Sequence, residues 1–161
     1  MNQICVLGLG YIGLPTASVL ASNGYKVLGV DVRPSVVDTV NSGNIHIEEP
    51  GLQTVVRAAI QSGNLRAATQ PARADVFILA VPTPLIERTK TADMHYVKEA
   101  AEAIVPHLSP DNLVILESTS PPGTCRNLVA PILETSGLKV GGDIHLAHCP
   151  ERVLPGRILT E

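Results

Sequence analysis

Three glycines decide most of what this chain can fold into. Gly8, Gly10 and Gly13 stand in "GLGYIG", directly after the apolar run "QICVL" and running into residues 11–23, whose apolar members recur at helical spacing as far as Gly24. A strand that turns on glycine into a helix leaves backbone N–H groups pointing out of the turn. At this G-x-G-x-x-G spacing Gly8 makes the tight turn, Gly10 lets a pyrophosphate come close to the main chain, and Gly13 lets the helix lie against the strand. The next apolar run, residues 26–30, ends on Asp31, near the offset of about 20 residues expected for a carboxylate that accepts hydrogen bonds from a ribose. The combination implies a dinucleotide site that includes Tyr11 and Ile12 of the turn. Asp31 favours NAD over NADP, because a carboxylate would repel a 2′-phosphate. Arg33 is counted among the cofactor residues as well, although a solvated arginine at a helix start is its simplest reading.

The rest of the chain continues the alternation. Short helices are expected over residues 36–42 and 52–60, joined by the loop "NIHIEEPG", whose His46, Glu48 and Glu49 read as solvated. Further strands are expected at 65–69, 75–84, 112–123 and 143–150. A helix carries the stripe Met94, Val97, Ala101, Ile104, Val105 and Leu108, and another runs from about Thr124, interrupted by Pro131. Residues 1–161 therefore read as one α/β domain: a doubly wound, mostly parallel six-stranded Rossmann-type sheet with helices on both faces. Pro82 and Pro84, Pro121 and Pro122, and Pro150 and Pro155 fall just past the C-terminal ends of the last three strands, the edge where open parallel sheets bind ligands. Thr83 and Thr119 sit among them with hydroxyls able to reach a ligand.

Composition excludes several function classes. The chain has 161 residues, 45% hydrophobic, a net charge of -3, an aromatic share of 2% and no tryptophan, which argues against a nucleic-acid surface. No apolar run approaches the roughly 18–20 residues of a membrane span, and the start lacks the marks of a signal peptide, so the cytoplasm is expected. Cys5, Cys125 and Cys149 are widely spaced and read as reduced thiols. In "HLAHCPERVLPG", His145 and His148 lie three apart on a strand and so face opposite ways, which speaks against a metal site. His148 and Cys149 also diverge, so Cys149 reads as a small buried packing residue rather than a nucleophile. Glu151 and Arg152 are the better ligand contacts of that stretch.

"GLGYIGLP", "VPTP", "ESTSPPGT" and "CPERVLPGR" together resemble the nucleotide-sugar dehydrogenases, the UDP-glucose and GDP-mannose dehydrogenase family, over residues 4–157. Pro155 stands where the glucose enzymes carry a second glutamate, and "ILESTSP" with "CPERVLPG" resembles the branch acting on UDP-N-acetyl-D-mannosamine. A UDP-N-acetylglucosamine enzyme is the nearer alternative. The resemblance implies an NAD-binding N-terminal domain of a homodimeric enzyme that oxidises the sugar C6 alcohol to a carboxylate with two NAD, through a thioester on a cysteine. It implies that this cysteine and the catalytic lysine and asparagine lie beyond Glu161, that Glu151, Arg152 and Val153 contact the UDP-sugar, and that Thr119 stands close to the chemistry in a supporting role. A hydroxyacid dehydrogenase of the 6-phosphogluconate type and a stand-alone NAD-binding module are the competing readings.

Overall fold

The computed structural model describes residues 3–153 and Gly156. The apolar runs become the strands β1 (Gln3–Leu7), β2 (Lys26–Val30), β3 (Leu65–Ala68), β4 (Val76–Leu79), β7 (Leu113–Leu116) and β8 (His145–His148) of one sheet, ordered β3-β2-β1-β4-β7-β8 and parallel at every pairing. The four residues of β4 are all buried, as are the last four of β1 and of β2. Such continuous apolar runs are what a sheet covered on both faces requires.

Helices supply the two covers. On one face α1 (Gly13–Ser22), α2 (Pro34–Asn41) and α3 (Leu52–Gln61) bury Leu14, Ala17, Val36, Val40, Leu52 and Val56 against Val6 and Ile78. On the other, α4 (His95–Ile104) and α5 (Ala130–Leu133) bury Val97, Ala101, Ile104 and Leu133 against Phe77, Leu79 and Leu116. The doubly wound α/β architecture expected from the strand–helix alternation is the one observed.

Several boundaries differ, each for a physical reason. The strand expected over 75–84 is paired only across Val76–Leu79, where its neighbours β1 and β7 also stop, and the prolines carry the chain on as loop. Between β4 and α4 lies an antiparallel ribbon of β5 (Leu85–Ile86) and β6 (Thr91–Ala92), too short to leave any periodicity in the sequence. The helix expected from Thr124 opens as a π-helical turn, Cys125–Val129, in which the Ala130 N–H reaches back to the Cys125 carbonyl, before the α-helical turn that contains Pro131. Pro131 has no N–H to give the regular bond, so the widened turn sits where that bond would begin to fail.

The sheet order reverses direction between β1 and β4, which makes the crevice at their C-terminal ends the topological switch point. At the outer edge, Asn41 at the end of α2 covers β3: its side-chain oxygen accepts from the Ala67 N–H at 2.8 Å and its amide donates to the Ala67 carbonyl at 3.0 Å. That satisfies backbone groups of an edge strand which would otherwise invite another chain.

Asn112 does comparable work inside. It is 5% exposed, donates to the Ala74 and Asp75 carbonyls at 3.0 and 3.4 Å, and accepts from the Ser109 N–H at 2.8 Å, tying the entry of β7 to the entry of β4. Asn112→Ala is expected to destabilise the domain by about 1–3 kcal/mol, since it strands buried backbone groups. Denaturant unfolding checks this, with a lower midpoint and an unchanged slope as the expected outcome.

Candidate functional site

Gly8 follows β1 directly, at φ +91°, and donates its N–H to the Val30 carbonyl at 2.8 Å. A Cβ there would lie 2.5 Å from the Ala80 carbonyl oxygen, so the exits of β1 and β4 touch through this glycine. At Gly13 a Cβ would lie 1.8 Å from the Gly8 carbonyl oxygen, which fixes how closely α1 starts against the strand end. Gly10 differs from both: a Cβ would meet nothing within 4 Å. The space above Gly10 is open, and α1 begins beside it with no side-chain cap and no acidic residue in its first turn. The positive end of a helix without a side-chain cap, next to open space, forms a cradle for a phosphate; the Gly13 N–H belongs to it, whereas the Leu14 N–H donates to the Gly10 carbonyl at 3.1 Å. Ile12 stands at the N-cap position of α1, and Tyr11 is exposed beside it.

Asp31 closes the other side of this cradle. It is 7% exposed; its Oδ2 accepts from the Leu9 N–H at 3.3 Å, and its Oδ1 accepts from the Arg33 N–H at 3.0 Å and from Arg33 Nε at 3.1 Å. Burial pushes the carboxyl pKa up, but the hydrogen bonds from the Arg33 side chain and N–H and the Leu9 N–H, with the Arg33 charge, outweigh it and hold Asp31 below its ordinary value. Asp31 is therefore a fixed anion at neutral pH. Arg33 is exposed but not merely solvated, being the ion-pair partner of Asp31. Val32 between them is 84% exposed and offers bare apolar surface at the same edge.

His46 and Glu49 correct the expectation of a solvated loop. Both ring nitrogens of His46 are buried without a hydrogen-bond partner among the described residues. Burial and the Arg33 charge hold the His46 pKa below its ordinary value, opposed by the Asp31 carboxylate and the Leu9 main chain. Glu49 is 6% exposed and accepts from the Gly156 N–H at 2.7 Å. The sequence did carry a signal: Ile45 and Ile47 flank His46, and both pack on the core beneath α1–α3, so the loop between α2 and α3 cannot lift into solvent. Glu48 is exposed, as expected.

On the far side of the crevice the loops after β4 and β7 are bonded to each other. Thr83 Oγ1 donates to the Thr119 carbonyl at 2.7 Å, and the buried Ser118 hydroxyl donates to the Val81 carbonyl at 2.6 Å. The two threonines picked out in the sequence are thus brought together, stitched by Ser118, which sequence reasoning missed. It missed Glu117 as well, the first polar residue after the apolar run of β7. Glu117 Oε1 accepts from Thr16 Oγ1 of α1 at 3.4 Å, while its Oε2 is buried without a hydrogen-bond partner among the described residues. Burial pushes the Glu117 pKa up; the Thr16 hydroxyl opposes this and the Glu151 charge adds to it. Glu151, a substrate candidate, is consequently near enough to this floor to be felt there. Its Oε1 accepts from the Val153 N–H, and Arg152 beside it is exposed. Leu154 and Pro155 of the same motif lie outside the described residues.

The remaining candidates of "HLAHCPERVLPG" lie on or just after β8, the outermost strand of the sheet. His145, His148 and Cys149 are exposed, which corrects the expectation of a buried Cys149. The cause is the position of β8 as the outermost strand, whose residues are exposed or half-buried. Cys5 is the deeply buried thiol instead, its pKa pushed up to about 11 by burial, with the Ala72 main chain and the Arg66 charge opposing. No group of three metal-ligating side chains occurs among the described residues. A cavity of about 130 Å³ lies at the opposite sheet edge, lined by Lys26, Asn64, Arg66 and Arg73. It adjoins the N-terminal ends of β1 and β2, away from the glycine turn. Among the described residues no helix is long and apolar enough to cross a membrane.

The family model for the NAD-binding domain of the UDP-glucose/GDP-mannose dehydrogenase family matches residues 2–161. The UDP-N-acetyl-D-mannosamine dehydrogenase of Methanococcus maripaludis is 51% identical over 100% of this chain and 36% of its own length. An NDP-N-acetyl-D-galactosaminuronic acid dehydrogenase of Ralstonia solanacearum is also 51% identical, over 99% of this chain and 39% of its own. Among solved structures, the UDP-N-acetyl-mannosamine dehydrogenase Cap5O from Staphylococcus aureus superposes with a TM-score of 0.93 at 47% identity, covering 98% of this chain and 38% of that one. The chain thus spans between a third and two fifths of the length of these relatives. With its glycine cradle, its buried aspartate and this agreement along its whole length, the chain belongs to the UDP-glucose/GDP-mannose dehydrogenase family, as the family's NAD-binding domain.

Proposed function

We propose that this domain binds NAD in preference to NADP and serves a longer enzyme that oxidises the C6 alcohol of UDP-N-acetyl-D-mannosamine to the carboxylate with two NAD. The observation that carries the reading is one sheet edge holding open space over Gly10, an uncapped helix start and a buried, ionised Asp31. These residues fit the cofactor. Gly8, Gly10, Tyr11, Ile12 and Gly13 would hold the pyrophosphate, Asp31 with Arg33 the adenosine ribose, and Val32 would lie against the adenine. Thr83 and Thr119 would border the nicotinamide, which accepts hydride when NAD is bound.

The sugar nucleotide would meet Glu151, Arg152 and Val153, and Thr119 would support the chemistry without carrying it. A base and a thiol nucleophile are assigned to a C-terminal half joined to this domain, a reading supported by the fraction of each relative that this chain covers. The mannosamine epimer is favoured by relatives that act on it, while the Ralstonia enzyme keeps other amino sugars as the alternative. The whole protein is proposed to be a homodimer, in the cytoplasm, where the free Cys5, Cys125 and Cys149 would remain reduced.

Calorimetric titration of the 161-residue chain with both cofactors tests the cofactor half. NAD is expected to bind more tightly than NADP, and Asp31→Ala to weaken NAD by on the order of 1–3 kcal/mol. The glycines separate folding from binding. Gly10→Ala should keep the parental melting temperature and lose at least about tenfold in NAD affinity, roughly 1.4 kcal/mol, whereas Gly13→Ala should cost about 3 kcal/mol of stability from the clash alone. Tighter NADP binding, or full NAD affinity in Gly10→Ala, would count against the reading.

The same chain should produce no NADH from UDP-N-acetyl-D-mannosamine, while the full-length gene product does, because the base and the nucleophilic thiol are assigned to the C-terminal half. Sustained turnover by the purified chain would contradict the assignment of both groups to another domain.

Glu117 supplies a pH test of the crevice floor. Its raised pKa means that the folded state holds the proton more firmly than the unfolded one. Stability must then fall as pH rises from the ordinary glutamate value through the folded one. Glu117→Gln removes that dependence. It should match the parent at low pH and exceed it in melting temperature by a margin that grows as pH rises to the folded pKa and then stays constant. A gap that widens toward low pH would reverse the assignment.

A further inference from the structure

Glu49 belongs to a loop, residues 42–51, that no part of the cofactor reading requires, yet the residue is only 6% exposed. A buried carboxylate is costly unless hydrogen bonds compensate it. Here its Oε2 accepts from the N–H of Gly156, 107 residues away in the chain, at 2.7 Å. Bonds from a backbone N–H to an ionised carboxylate are among the stronger ones a protein makes. Gly156 takes φ +89°, a conformation that side-chain-bearing residues rarely adopt, so the donor end is specialised too. The carboxylate is fixed from its own side: the Glu49 carbonyl accepts from the Leu52 N–H at 3.3 Å where α3 begins, and Ile45 and Ile47 anchor the loop on the core.

We propose that Glu49 is a positioning residue that clamps the loop after β8, holding Glu151 and Arg152 at the ligand edge. The inference rests on the reading of residues 151–153 as sugar-nucleotide contacts. Among the described residues of that loop, the Val153 N–H donates to Glu151 Oε1 and the Gly156 N–H to Glu49 Oε2. The same loop carries His46, which lies within electrostatic reach of the Asp31–Arg33 pair.

The test uses the full-length gene product in four forms: parent, Glu49→Ala, Glu49→Gln and Arg152→Ala. Hydrogen exchange followed by mass spectrometry reads the peptide that contains Gly156, and steady-state kinetics read KM and kcat with UDP-N-acetyl-D-mannosamine and NAD. In Glu49→Ala the Gly156 peptide should exchange at least about tenfold faster, and KM for the sugar nucleotide should rise at least about tenfold, with kcat and KM for NAD within about threefold of parent. Glu49→Gln, which keeps an acceptor oxygen, should stay within about threefold of parent in every readout. An unmoved exchange rate or an unmoved sugar-nucleotide KM in Glu49→Ala overturns the clamp, as does equal damage to both substrates or failure of Glu49→Gln to rescue. Arg152→Ala keeps the two ideas separable. If it leaves the sugar-nucleotide KM unchanged, the substrate-loop reading fails and the exchange arm alone decides whether Glu49 holds the loop. If it raises that KM while Glu49→Ala moves nothing, the clamp fails and the reading stands.

Discussion

The closeness of α1 to the ends of β1 and β4 is the constraint on which the site depends. A single methyl group at Gly13 would overlap the Gly8 carbonyl, and one at Gly8 would strike the Ala80 carbonyl. Because no side chain intervenes, the helix start, the exit of β1 and the exit of β4 meet at the point where the strand order reverses. The same approach brings Thr16, in the first turn of α1, within reach of Glu117 at the end of β7. Helix and sheet are thereby coupled by main-chain contact first and by side-chain hydrogen bonding second. The crevice is a by-product of a packing that only glycine permits.

Charge is then distributed across this crevice in a definite way. One wall holds Asp31 ionised by giving it backbone and guanidinium donors. The opposite wall gives Glu117 a single hydroxyl donor and places Glu151 in its field, which favours the protonated form. Two carboxyl groups of one domain are driven in opposite directions by their surroundings, Asp31 toward the charged form and Glu117 toward holding its proton more firmly. The stitched loops after β4 and β7 make the second wall rigid, since Ser118 and Thr83 both spend their hydroxyl protons on neighbouring carbonyls.

How far all this could be read from the sequence follows from the range of the interactions concerned. The glycine turn and Asp31 are local requirements, so "GLGYIG" and the next strand end sufficed to locate them, and strands apolar on both faces announced a covered parallel sheet. Strand lengths were overestimated at Asp75–Pro84 because pairing stops where the neighbours stop, and no single segment records that. The exposure of Cys149 follows from β8 being outermost, an adjacency fixed by topology and not by the residues around it. His46 and Glu49 looked like loop residues because the charges of Asp31 and Arg33 that His46 feels, and the Gly156 N–H that Glu49 accepts from, are brought to them only by the finished fold. Local chemistry was legible; burial that depends on distant contacts was not.

The central claim is that the crevice at the C-terminal ends of β1, β2 and β4, and no other surface of this domain, receives NAD. Titrating the ¹⁵N-labelled chain with NAD and following backbone amide shifts tests it directly. The account predicts the largest shifts at Gly10, Tyr11, Arg33 and Thr83, with the opposite edge silent. Shifts confined to Lys26, Asn64, Arg66 and Arg73 around the cavity at that opposite edge would contradict it.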